Sequence, residues 1–246
     1  KLALSSETGS LLTVGANASV SLRDITLQGR SGNTASLISV VSGGTLILET
    51  GAVITGNTTS GSGGGVYVAT DGTFTMNDGT ISGNKADGDD TISFTEGGGG
   101  VYVANGGTFT MNDGTIGGNN VAILGGGVFV ADGTFMMKDG TIDGNEASSN
   151  TFGGGGVFVA DGTFTMEGGI ISRNKTGHGA VYLYSSSITF NKTGGIIYGT
   201  DAFPAGLANV AGTRTSTVIR ELNDTRRELT AGPGKNLSYI GGNASF

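Results

Sequence analysis

The stretch "GGGVYVATDGTFTMNDGTISGN" at 63–84 returns as "GGGVYVANGGTFTMNDGTIGGN" at 98–119 and as "GGGVFVADGTFMMKDGTIDGN" at 125–145. A fourth copy, "GGGVFVADGTFTMEGGIISRN", covers 154–174. A repeat of this period means an array in which each unit packs on its neighbours, so function has to be sought down columns of equivalent residues. Anchoring on the "VYV" segment adds "LLTV…ASVSLRDITLQGR" at 11–30, "LISV…GGTLILETGAVITGN" at 37–57 and "AVYLYSSSITFNKTGGIIYGT" at 180–200. The seven units are spaced from 24 residues (Val157 to Val181) to 35 residues (Val66 to Val101).

Five apolar columns run through these units. One first-strand column is Leu12, Ile38, Val66, Val101, Val128, Val157 and Val181, and the next begins at Val14 and ends at Leu183. Two second-strand columns follow. One passes through Phe74, Phe109, Phe135 and Phe164 to Ile188, the other through Met76, Met111, Met137 and Met166 to Phe190. The third strand contributes Leu27, Ile54, Ile81, Ile116, Ile142, Ile171 and Ile197. Apolar residues alternate with others within each short segment, the period-two pattern of a half-buried strand. Three strands with Gly-rich corners predict an all-β, single-stranded right-handed parallel β-helix of about seven three-strand coils. The handedness follows from the general bias of parallel crossovers. No proline occurs before Pro204, as a ladder that uses every strand N–H requires. Asn57, Asn84, Asn119, Asn145 and Asn174 form a further column, read as a corner ladder of stacked amides. The domain reading is repeats over 1–200 and an irregular C-terminal coil or cap over 201–246.

Composition narrows the function. The formal net charge of −7 argues against nucleic acid as a partner, because phosphate binding wants a basic surface. Without cysteine there is neither a disulfide framework nor a thiolate metal site. No apolar run is long enough to span a bilayer as a helix. The chain opens mid-pattern at "KLALSSETGS", which predicts a mature product or a piece of a larger surface protein.

The "GGGVYV" and "GGGVFV" segments followed by "GTFTM" resemble the repeats of bacterial surface β-helices of the pectin-lyase-like class. They are most similar to those of polymorphic outer-membrane and autotransporter passenger proteins. The resemblance implies an exported bacterial protein, displayed at the cell surface and adhesive. Its partner would then be a glycan or protein on a host or neighbouring cell.

The same class includes polysaccharide lyases and glycosidases, whose chemistry needs carboxylates or basic groups converging on one outer face. In the four clear repeats the outward strand positions carry no Lys, Arg or His, and Asp143 is their one acid. The expectation is therefore a non-enzymatic scaffold or spacer, with a carbohydrate-active domain as the alternative. Two outward columns stand out. The first is the aromatic row Tyr67, Tyr102, Phe129, Phe158 and Tyr182. It is either an exposed ligand-binding stripe or a self-stacked row roofed by insertions at 85–97 and 146–153. As a binding stripe it predicts that Tyr102 and Phe129 changed together to Ser lose ligand while the fold survives. The second column is the pairs Thr73/Thr75, Thr108/Thr110 and Thr163/Thr165, similar to the flat Thr-x-Thr faces of solenoid ice-binding proteins, or simply strand propensity. Asp87, Asp89 and Asp90 in the longest insertion are candidate Ca²⁺ ligands, the one cofactor considered. Stacked Asp113 and Asp139 at turns are another. His178, the only histidine, has no identifiable partner. Arg214, Arg220, Arg226 and Arg227 make the tail basic, as expected of a charged cap on an open β-helix end.

Overall fold

A computed structural model describes residues 1–5, 8–88, 96–121, 124–148, 153–176, 179–185 and 187–198. Beyond these it describes the backbone of the strands Val210–Ala211, Val218–Leu222, Thr225–Leu229 and Leu237–Ser238. The chain is a parallel β-helix of about seven coils. Each first strand pairs in parallel with its equivalent one coil away, as in Ile38↔Val66, Val66↔Val101, Val101↔Val128 and Val128↔Val157. Second strands do the same through Leu46↔Phe74, Phe74↔Phe109 and Phe109↔Phe135. Third strands stack from Leu27↔Ile54 to Ile171↔Ile197. The five predicted apolar columns make one continuous core, fully buried in the central coils. Val, Ile, Phe and Thr suit these strands because branched and aromatic side chains pack well on a pleated, half-buried surface.

Three features differ from the sequence expectation. A fourth strand follows the Asn corner in five coils: Thr58–Thr59, Lys85–Ala86, Asn120–Val121, Glu146–Ala147 and Lys175–Thr176. Two residues are too few to show alternation, although buried Ala86, Val121 and Ala147 form a small cluster of their own. Secondly, first and second strands fuse into Val128–Met137 and Val157–Met166. The connection there is "ADG" where other coils have four residues, and the missing residue removes the corner held elsewhere by Asn17, Gly43, Asp71 and Gly106 at positive φ. Thirdly, the last coil is shifted by two residues. Phe164 faces Phe190 and Met166 faces Lys192, so Ile188 is not the end of the Phe column and Phe190 is not the end of the Met column. Lys192 ends the Met column by donating from Nζ to the carbonyls of Gly194 (2.9 Å) and Gly195 (2.8 Å). Burial lowers its pKa.

The Asn column is a buried ladder. The Oδ1 of Asn119 accepts the backbone N–H of Asn84 at 3.0 Å, while its Nδ2 donates to Ile81 O (2.9 Å) and to Asn145 Oδ1 (3.0 Å). Asn84, Asn145 and Asn174 likewise donate to third-strand carbonyls of the preceding coil. Asn33, outside the repeat register, extends the ladder by donating to Asn57 Oδ1 at 3.0 Å. Past residue 200, Val210–Ala211 and Val218–Leu222 add parallel rungs to the fourth-strand and first-strand sheets. Leu237–Ser238 adds an antiparallel rung to the third, and Thr225–Leu229 pairs with Val218–Leu222 as an antiparallel hairpin. Arg214 and the side chains of Arg220, Arg226 and Arg227 lie outside the described residues.

Candidate functional site

The aromatic row points away from the coil interior, because it alternates with the inward Val columns, yet it is covered. Phe129, Phe158 and Tyr182 are fully buried and Tyr102 is 5% exposed, leaving Tyr67 half-buried. The rings are in face-to-face register, with centroids 5.3 Å apart for Tyr67–Tyr102, 5.0 Å for Tyr102–Phe129, 5.2 Å for Phe129–Phe158 and 5.3 Å for Phe158–Tyr182. Leu124 and Ala104 join them in a second apolar cluster outside the main core. Gly97 lies directly over Phe129: a Cβ at that position would sit 2.5 Å from the ring. The exposed-stripe reading is thus corrected, since strands spaced one coil apart bring rings to stacking distance and the glycine-rich segments close over them. Burial, with Tyr67 and Glu96 adding to it, pushes the Tyr102 phenol up to about 12.

Glu96 is the functional residue that spacing did not reveal. Its Oε2 is buried with no hydrogen-bond partner. The segment is fixed by the Gly63 N–H donating to Gly97 O at 2.9 Å. Gly88 provides the room, because a Cβ there would lie 2.2 Å from that oxygen.

The Thr residues form two straight half-buried rows on the second-strand sheet. Thr45, Thr73, Thr108, Thr134, Thr163 and Thr189 share one row, and Thr75, Thr110 and Thr165 alternate with Ile47, Met136 and Asn191 in the other. The last pair is Thr189/Asn191 rather than Ser187/Thr189. Beneath the first row the inward Phe74, Phe109, Phe135 and Phe164 rings stack at 4.7–5.0 Å.

The described acids are engaged locally. Asp78, Asp113 and Asp139 each accept the N–H of the following glycine at 2.7–2.8 Å. Asp143 accepts from Ser172 Oγ (2.7 Å) and is paired with Arg173; Glu146 pairs with Lys175 at 2.7 Å. Glu49 takes Arg23 at 3.5 Å and the Asn77 amide at 3.2 Å. Asp87 pairs with Lys85 at 2.9 Å, while Asp89, Asp90 and His178 lie outside the described residues. Among the described residues no three His, Asp or Glu side chains gather as a metal site.

Residues 13–193 match the family described as "Right handed beta helix region", and the chain belongs to that family. No curated protein and no solved structure matches it.

Proposed function

We propose that this chain is a non-catalytic, surface-displayed bacterial β-helix, a rigid spacer with adhesive contacts to a glycan or protein on another cell. The observation that carries the reading is where its polar side chains are used. Asn84, Asn119, Asn145 and Asn174 tie third strands together, and the Asp143–Arg173, Glu146–Lys175 and Arg23–Glu49 pairs bridge adjacent coils. Groups arranged this way hold coils in register. Catalysis of sugar-bond cleavage needs instead an acid and a base or metal free to face a substrate. A stack of seven rungs at ~4.8 Å makes a stiff rod of roughly 30 Å.

The test is to incubate the purified chain with pectins, xylans, glucans and host glycosaminoglycans, following unsaturated products and new reducing ends. No product above the heat-denatured control is expected, together with retention of the chain on intact target cells. Sustained turnover lost on heating would overturn the scaffold reading.

A further inference from the structure

We propose that the open face of Tyr67, together with the Glu96 carboxylate, is a single-ring saccharide subsite at the step where the aromatic stack ends. It rests on the scaffold reading and deepens it by naming one ligand class and one place. The stack ends abruptly. Ser39 pairs in register with Tyr67, and Thr13 with Ser39, so the next two rungs carry hydroxyls where the following coils carry rings. A serine side chain is too short to cover a phenol face. Tyr67 accordingly has a ring neighbour on one side only, Tyr102 at 5.3 Å with planes 5° apart, and stays half-buried while Tyr102, Phe129, Phe158 and Tyr182 are buried.

A pyranose matches both halves of this arrangement. Its axial C–H face lies flat on an aromatic ring, and its hydroxyls donate to a carboxylate. Glu96 offers a bare acceptor, seated against Gly88 and held by the Gly63–Gly97 hydrogen bond; its charge is felt at the Tyr102 phenol, so it stands near the stack's open end. An unmatched buried oxygen is costly, and a sugar hydroxyl would satisfy it. An extended peptide fits less well. Ile38–Val40 and Val66–Val68 each lie between two hydrogen-bonded neighbour strands, so no free strand edge is offered there.

The experiment titrates ¹³C-tyrosine-labelled chain with cello-, chito-, malto- and galacturono-oligosaccharides, with Ca²⁺ alone as a separate arm. One sugar series should shift the Tyr67 ring resonances saturably. Tyr67→Ala should weaken that binding about tenfold and Tyr67→Phe by less than about twofold. Glu96→Gln should cost about fivefold while the melting curve stays in place. Equal affinity in Tyr67→Ala, shifts confined to the Thr rows, or no binding by any series would each overturn the subsite. So would Ca²⁺ shifting the same resonances and blocking sugar, which would reassign Glu96 to a cation. None of these touches the scaffold reading. Turnover of a bound oligosaccharide would sink that reading and leave the subsite standing.

Discussion

At the level of single residues, the polar groups that matter most are buried ones. Asn119 touches three coils through its amide, so Asn119→Ala strands the Ile81 carbonyl and the Asn84 N–H inside the corner. The expected loss is about 1–3 kcal/mol, read from urea unfolding, and an unchanged midpoint would refute the ladder's contribution. Tyr102 gives a pH signature. Its phenol ionises near the ordinary 10.0 when unfolded and at about 12 when folded, chiefly through burial. The folded chain then holds a proton that the unfolded chain releases, so stability is intact below pH 10.0 and falls as pH rises towards about 12. Thermal melts across that range should show the decline, and Tyr102→Phe should flatten it.

Among the structural elements, corners and stacks impose different demands. Gly114 turns the second strand into the third at φ +97°, and a Cβ there would lie 2.7 Å from both the Gly79 carbonyl and Met76 Cε. Gly118 has φ +63° but open space around it. Gly114→Ala should therefore cost about 1–3 kcal/mol, because the clash adds to backbone strain. Gly118→Asn should be nearly neutral, since Asn tolerates the left-handed region. Parallel chemical-denaturation curves would separate the two, and equal losses would remove the packing explanation. Arg173 already occupies the corresponding left-handed corner of its coil, at φ 52°, with its guanidinium anchored to Asp143. The aromatic row behaves as a core. Tyr102 and Phe129 changed together to Ser should destabilise by more than about 3 kcal/mol, because two rings in a stack are replaced by cavities and hydroxyls. Surviving native stability in that variant would mean the row is dispensable surface.

For the whole molecule, nearest-neighbour packing makes the coil a removable unit. Gly98 and Gly125 occupy equivalent corners, with φ +67° and +68°. Deleting 98–124 joins Gly97 to Gly125 in register and should give a folded chain one rung, ~4.8 Å, shorter. Circular dichroism and small-angle scattering check this; a collapsed or aggregated product would show that coils are not interchangeable.

The sequence by itself determined the coil, its columns and the Asn ladder. A repeating pattern samples the same local choice many times, and each inward position must be apolar in every copy. It also placed the aromatic row correctly in register. Only the tertiary structure decided that the row is covered, because exposure depends on what the glycine-rich segments fold over, and glycine carries no side chain to announce it. The fourth strand escaped because two residues define no period. The slipped last coil escaped because "SSSITFNKT" offers two apolar alignments that only the strand pairing resolves. Glu96 escaped for the plainest reason: it sits where the repeat is interrupted, and its meaning lies in Gly88, Gly97 and Tyr102, which the chain brings to it only on folding.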